Sequence, residues 1–319
     1  MNETLKKALR EHFKQAQNCL IMSHMRPDGD AVGSVLGLGL ALQDAGKEVQ
    51  MVLADGVPTS FRHLSGSQQI RRKAQGNFDL VIVVDCSDPD RVGERLQKHL
   101  PPHINIDHHI TNTNFAELNW VDASATATTE MLTEFLPELG LEIRKPAAEA
   151  LLTGLITDTL GFRTANMRPN ALRMAAWLYD LGADLPGLYQ KALLERSFNA
   201  ARYWGRGLDN LQVEGRLLWT TLTLEDRQAV DYPGKDDADL VNYLTTIKDA
   251  DVYVIFIEQN ADSVKVSWRA KPGFDVSRIA THFGGGGHKP AAGAEIDGPL
   301  DEVKTAVLEL TRELLNGSE

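Results

Sequence analysis

The chain has 319 residues, 43% hydrophobic and 24% charged, with a formal net charge of −11. That length points to two domains, and the composition is that of a water-soluble globular protein. The acidic balance argues against wrapping long duplex nucleic acid, which needs a broad basic face, but not against a small anionic substrate met by a few cations or metal ions. Cys19 and Cys86 sit beside or inside apolar runs without a CxxC spacing, which suits a reducing compartment and no disulfide framework. Residues 1–15 form a charged amphipathic stretch rather than a signal peptide. No apolar run approaches the ~20 residues of a membrane span, so a cytoplasmic location is expected.

In chain order, residues 5–17 predict a helix and residues 19–22 a short buried strand. Small and apolar residues at helical spacing over 31–44 predict a second helix, stopped by Gly46. Residues 49–54, 80–84 and 103–106 predict three more strands, the middle one continuous and β-branched as for a strand covered on both faces. A helical segment is expected over 90–99. Strands alternating with helices argue for a parallel sheet in an α/β domain. From residue 124 helices dominate, over 126–135, 146–156 and 169–181, with a helical connector over 188–205. The last third differs. A strand is expected over 217–224 and a hairpin from 252–257 and 264–268. A helix capped by Asp275 runs to Phe283, the glycine run 284–287 and His288 follow, and a closing helix spans 301–315. This predicts an N-terminal domain over 1–187, a helical linker over 188–205 and a smaller α+β domain over 206–319.

The strand ends carry the chemistry. The first delivers His24, Asp28 and Asp30, the third Asp85, and the fourth Asp107, His108 and His109. In a parallel sheet these ends open on one edge, where ligands bind. Asp158 ends an apolar helix, whose partial negative charge favours a nearby cation. Singly, each residue also reads as a turn, a cap or a surface charge; their coincidence at successive strand ends favours a site. Five carboxylates and three imidazoles in one neighbourhood need positive charge to balance them. Oxygen-rich ligands with imidazole and no thiolate suit Mn²⁺ or Mg²⁺ better than structural zinc, and their number suits two ions sharing a carboxylate, as in phosphoester hydrolysis. Cys86 is expected to point away, since side chains alternate along a strand. Four successive glycines exceed what a helix cap requires; their amides, His288 and Arg269 are candidates for anion binding, with a flexible loop as the alternative.

Together, residues 24–30, Asp85, Asp107-His108-His109 and Thr157-Asp158-Thr159 resemble the four motifs of the DHH phosphoesterase superfamily. Residues 284–288 resemble the signature of its associated DHHA1 domain. Length and domain pair are most similar to bifunctional oligoribonucleases and 3′-phosphoadenosine 5′-phosphate phosphatases. The resemblance implies a DHH domain, a DHHA1 domain and a cleft between them. It implies two divalent ions, Mn²⁺ with Mg²⁺ as the alternative. His24, Asp28 and Asp85 would hold one, and Asp30, Asp85, His108 and Asp158 the other. His109 would contact the scissile phosphate and Asp107 would orient the histidines. Arg163, Arg269, Gly285, Gly286, Gly287 and His288 would bind substrate. The implied reaction is attack of activated water on a very short RNA or on the adenosine bisphosphate, with no membrane partner and a homodimer allowed. Rival readings are a manganese pyrophosphatase, a RecJ-like exonuclease, a cyclic-dinucleotide phosphodiesterase and, outside enzymes, a metal-dependent nucleotide sensor.

Overall fold

The computed structural model describes residues 2–316. The chain divides into two compact units, Met1–Glu195 and Arg196–Glu319.

The first unit is built on five parallel strands, β1 (Asn18–Met22), β2 (Glu48–Val52), β3 (Leu80–Val84), β4 (Ile104–Asp107) and β5 (Leu118–Val121), in the order β2-β1-β3-β4-β5. Every residue of β3 is buried, as its unbroken β-branched run requires. The side chains of β1, β3 and β4 divide between two apolar clusters. Ile21, Ile82, Val84, Ile104 and Ile106 enter one, and Leu20, Met22, Val81 and Val83 the other. The first cluster is completed by α1 (Glu3–Gln15), α2 (Gly29–Asp44), α3 (Thr128–Phe135), α4 (Lys145–Asp158), α5 (Pro169–Asp180) and the short α6 (Leu185–Tyr189). The second is closed by Val92 and Leu96. These belong to two 3₁₀ turns, Pro89–Val92 and Glu94–His99, rather than to the helix expected over 90–99, because Gly93 at φ +95° divides the stretch. Cys86 lies in this second cluster, and burial pushes its thiol up to about 12. The fourth strand begins and ends one residue later than expected, so Asp107 is itself its last residue, paired with Val121 of the unexpected β5.

The second unit holds α7 (Phe198–Asp209), β6 (Gln212–Glu214), β7 (Leu217–Leu222), α8 (Leu224–Ala229), α9 (Leu240–Leu244), β8 (Val252–Asn260), β9 (Ser263–Ala270), α10 (Ser277–His282), β10 (Gly286–His288), β11 (Ala291–Asp297) and α11 (Leu300–Asn316). Its sheet runs β10-β11-β9-β8-β7-β6, with only β7 and β8 parallel. The expected hairpin is β8–β9. The expected connector over 188–205 is not one helix. A π turn over Gln190–Leu194 ends it, and a new helix, α7, starts at the N-cap Ser197 and buries Tyr203 in the second unit's core. Asp275 does not cap α10; Val276 is the N-cap, and Asp275 instead accepts from the Ser277 hydroxyl. Among the described residues no helix is long and apolar enough to cross a membrane.

Candidate metal centre

Because β1, β3 and β4 are parallel, their carboxyl ends open on one edge of the sheet. There the chain brings His24, Asp28 and Asp85 together, then Asp30, Asp85 and His108, then Asp85, Asp107 and His109, each set with ligand-type atoms within 4.8 Å. Asp158, at the end of α4, joins them with an oxygen 3.6 Å from His108 Nε2. Asp85 is common to all three sets. It is buried and held at φ +51°, a left-handed conformation that Asp tolerates better than most residues and that turns its carboxylate out of the strand line.

The histidines are oriented by their Nδ1 atoms. His24 Nδ1 lies 2.8 Å from Met25 O and His108 Nδ1 lies 3.3 Å from Ala125 O, so each Nδ1–H donates to a carbonyl and each Nε2 is turned toward the carboxylates. These Nε2 atoms face Asp85 from two sides, His24 at 3.6 Å from Oδ2 and His108 at 3.7 Å from Oδ1. His109 Nδ1 donates to Asp107 Oδ1 at 2.7 Å, and Asn112 Nδ2 donates to the other oxygen at 2.6 Å.

The carboxylates are held as firmly. Asp28 is the N-cap of α2, its Oδ1 accepting the Asp30 and Ala31 amides at 3.0 Å each. Ala127, the N-cap of α3, offers no capping side chain; Asp30 caps the helix from across the fold. Its Oδ2 accepts the Thr128 amide at 2.6 Å, and its Oδ1 accepts the Thr129 amide and hydroxyl at 3.0 and 2.6 Å. Thr128 Oγ1 donates to Asp85 Oδ1 at 3.0 Å. Asp158 reaches the site because α2 and α4 cross closely, with Gly29 against Thr157: a Cβ on Gly29 would lie 2.2 Å from Thr157 Oγ1 and 2.7 Å from its Cβ. Gly29→Ala is therefore expected to displace Asp158 and lower kcat/KM by about 100-fold, the usual cost of an ångström-scale misplacement. A circular dichroism spectrum matching the parent's would show the fold intact, and parent-like rates would exclude the tight crossing as a requirement.

Burial alone would push Asp30 up, and the charges of Asp85 and Asp158 add to it, so its carboxyl lies well above the usual range. Burial likewise raises Asp158, helped by Asp28 and Asp85 and opposed by His108, to about 6. Burial would lower His108, but Asp158, Asp30 and Asp85 outweigh it and raise the imidazole to about 9. Burial would also lower His24, which the neighbouring carboxylates of Asp85 and Asp28 outweigh. Asp85 goes the other way: burial would raise it, yet His24, His109 and His108 together hold it below the usual carboxylate range. The N···O separations of 3.6–3.9 Å are too long for hydrogen bonds. They match the spacing of about 3–4 Å between neighbouring ligands that each lie about 2.1 Å from a shared ion. Nε2 atoms aimed at shared carboxylates, the raised Asp30 and Asp158 and a donor set without thiolate all fit hard divalent cations.

Arg163 is exposed on the turn after α4, its amide bonded to Thr159 O at 2.9 Å. In the second unit the glycine run is a turn only in its first half. Gly286, Gly287 and His288 form β10, paired with β11. A Cβ on Gly285 would lie 2.2 Å from Gly293 O, and one on Gly287 2.5 Å from Ala291 O, so both glycines are demanded by strand packing. Gly286 has open space around its would-be Cβ. Ala291 is in register with His288 on one side and Arg269 on the other, which places those two in one row of the sheet. Arg269 is half-buried. Its Nε donates to Asn242 Oδ1 and its Nη1 to Trp268 O, both at 2.9 Å, and burial pulls its guanidinium below its ordinary value against Asp237 and Asp239.

Comparison with known proteins gives the family. Residues 18–155 match the model of the DHH family N-terminal domain, and residues 228–317 that of the DHHA1 domain. A Thermus thermophilus protein named bifunctional oligoribonuclease and PAP phosphatase NrnA is 36% identical over 301 residues, covering 92% of this chain and 89% of that protein. The chain belongs to the DHH family of phosphoesterases. A Mycoplasma genitalium protein of the same name is 30% identical, over 89% of this chain and 90% of that one. An exopolyphosphatase-related protein from Bacteroides fragilis has a structure similar at TM-score 0.88, with 26% identity, covering 99% of this chain and 96% of that one. As a DHH-family phosphoesterase the chain is a hydrolase of phosphoester bonds. Sequence reasoning missed Asn112, Thr128 and Thr129 at its DHH site. Asn112 lies only five residues past its partner Asp107, so the polar stretch after the fourth strand was the available signal, whereas the partners of Thr129 and Thr128, Asp30 and Asp85, lie 99 and 43 residues away.

Proposed function

We propose that the protein hydrolyses very short oligoribonucleotides to mononucleotides and removes the 3′-phosphate of 3′-phosphoadenosine 5′-phosphate to give AMP. The observation that carries this reading is Asp85, a buried carboxylate with an imidazole Nε2 facing each oxygen. That symmetry suits a ligand shared by two ions, with His24 and Asp28 on one side and Asp30, His108 and Asp158 on the other. The names of the Thermus and Mycoplasma relatives support the substrate class. Bound Mn²⁺, or Mg²⁺ in its place, would supply Lewis acidity that activates water and neutralises the phosphoryl oxygens. The chain's own groups do the rest. Asp107, fixed by Asn112, holds the His109 imidazole by Nδ1 and directs Nε2 outward toward a phosphoryl oxygen. Arg163, Arg269, His288 and the amides of Gly286 and Gly287 bind the nucleotide, with Gly286 the position at which a small residue serves the ligand rather than the fold; the Gly285 amide, which already donates to Ala280 O at 2.8 Å, contributes only the close approach its missing side chain allows.

The test is a rate comparison in Mn²⁺ over RNA dinucleotides, longer RNA, the adenosine bisphosphate, cyclic dinucleotides and pyrophosphate. Dinucleotides and the bisphosphate are expected to be turned over fastest, and metal-stripped protein in excess chelator is expected to be inactive. Faster cleavage of long RNA or of cyclic dinucleotides would replace this reading with a RecJ-like or cyclic-dinucleotide activity. Undiminished turnover in chelator would remove the metals from it.

A further inference from the structure

One short strap, residues 125–129, touches three of the proposed metal ligands. The Ala125 carbonyl accepts from His108 Nδ1, the Thr128 hydroxyl donates to Asp85, and the Thr128 and Thr129 amides bind both oxygens of Asp30. What holds the strap is Glu130, a fully buried carboxylate on α3. Its Oε2 accepts the Thr126 amide at 2.8 Å and the Thr126 hydroxyl at 2.6 Å. Its Oε1 accepts Arg168 Nε at 2.7 Å and Asn170 Nδ2 at 3.0 Å. Arg168 continues to Ser124 Oγ at 3.1 Å and faces Asp122 at 3.6 Å.

A carboxylate removed from water this completely is tolerated only when paired and hydrogen-bonded on both oxygens. Here four donors meet it, and two belong to the strap. Glu130 occupies the third position of α3, where a glutamate ordinarily reaches back to the N-cap amide. It reaches one residue further, to Thr126, and so fixes the chain before the helix rather than the helix end.

We infer that Glu130 is a positioning residue of the metal centre, which through Thr126 sets the strap and through the strap aims Asp30, Asp85 and His108, with Arg168 as its counter-ion. The inference rests on the metal reading above. Outer partners of metal ligands typically change affinity by about ten- to a hundredfold when removed.

The test measures Mn²⁺ affinity of metal-stripped protein by competition with a fluorescent chelator, alongside the thermal midpoint without metal. Glu130→Gln and Thr126→Val are expected to weaken Mn²⁺ binding by about tenfold or more, and Thr126→Ser, which keeps the hydroxyl, to stay within about threefold of the parent. Leu9→Ala, a buried change on α1, serves as the stability control and is expected to bind Mn²⁺ as the parent does while melting earlier. Should Glu130→Gln fail to fold, Thr126→Val decides, because it keeps the backbone bond and alters one hydroxyl. Parent-like affinity in the folded variants, or an equal loss in Leu9→Ala, overturns the positioning role. A parent protein that takes up no Mn²⁺ overturns the metal reading and this inference with it, and is distinguishable because no variant is needed to see it.

Discussion

Asp85→Asn is expected to lower kcat/KM by about a thousandfold or more, a loss of about 4 kcal/mol of transition-state stabilisation, with the fold retained. The substitution is nearly isosteric, and asparagine tolerates the left-handed conformation that Asp85 adopts at φ +51°. The Thr128 hydroxyl can still donate to the remaining carbonyl oxygen. What disappears is one oxygen and the charge. Asp85 faces His24 with Oδ2 and His108 with Oδ1, so an amide can satisfy one side and turns a donor toward the other. Metal stoichiometry is expected to fall together with activity. A variant keeping more than about a tenth of parent activity with the same circular dichroism would show that Asp85 is not the shared ligand.

The legible part of this molecule was its first sheet and the residues at its strand ends. Continuous β-branched runs such as residues 80–84 announce buried parallel strands, and a polar residue directly after such a run has one edge of the sheet to occupy. The less legible parts owe their form to partners distant in sequence. Strand β5 is a four-residue stretch with a polar Asn119, ordered by pairing with β4. Strands β10 and β11 are rich in glycine and alanine, poor strand formers by themselves, and exist because β9 offers an edge. The 3₁₀ turns over 89–99 follow from one glycine within an otherwise helical pattern. The supports of the site were the hardest to foresee. Thr126 and Glu130 read as an ordinary helix start, and only the fold shows that Asp30 caps that helix and that Glu130 serves the residue before it.

The crowding of charge at the strand ends also sets the pH dependence of stability. In metal-free protein Asp158 has a folded pKa of about 6, above its ordinary 3.8, so its ionisation costs stability as pH rises from about 4 to about 6. Asp30 is shifted in the same direction. His108 is raised from 6.5 to about 9; the proton it keeps in the fold stabilises the protein below its unfolded value and is lost as pH rises through the folded one. His24 adds to that trend. Asp85, held low, contributes in the opposite sense only at the acid end, where its stabilising charge is lost as pH falls. The thermal midpoint without metal is therefore expected to fall between about pH 5.5 and about pH 8.5. Divalent ions reverse this, because they displace the His108 proton and neutralise the carboxylates that repel each other. At about a hundredfold excess over the dissociation constant, Mn²⁺ contributes about 3 kcal/mol, a gain of roughly 6–10 °C, largest at the alkaline end. Calorimetric titration in buffers of different ionisation enthalpy at about pH 7.5 should register proton release on metal uptake. A midpoint that rises across this window without metal, or a Mn²⁺ gain equal at both ends with no proton release, would mean that His108, Asp30 and Asp158 do not carry the protons that the metal replaces.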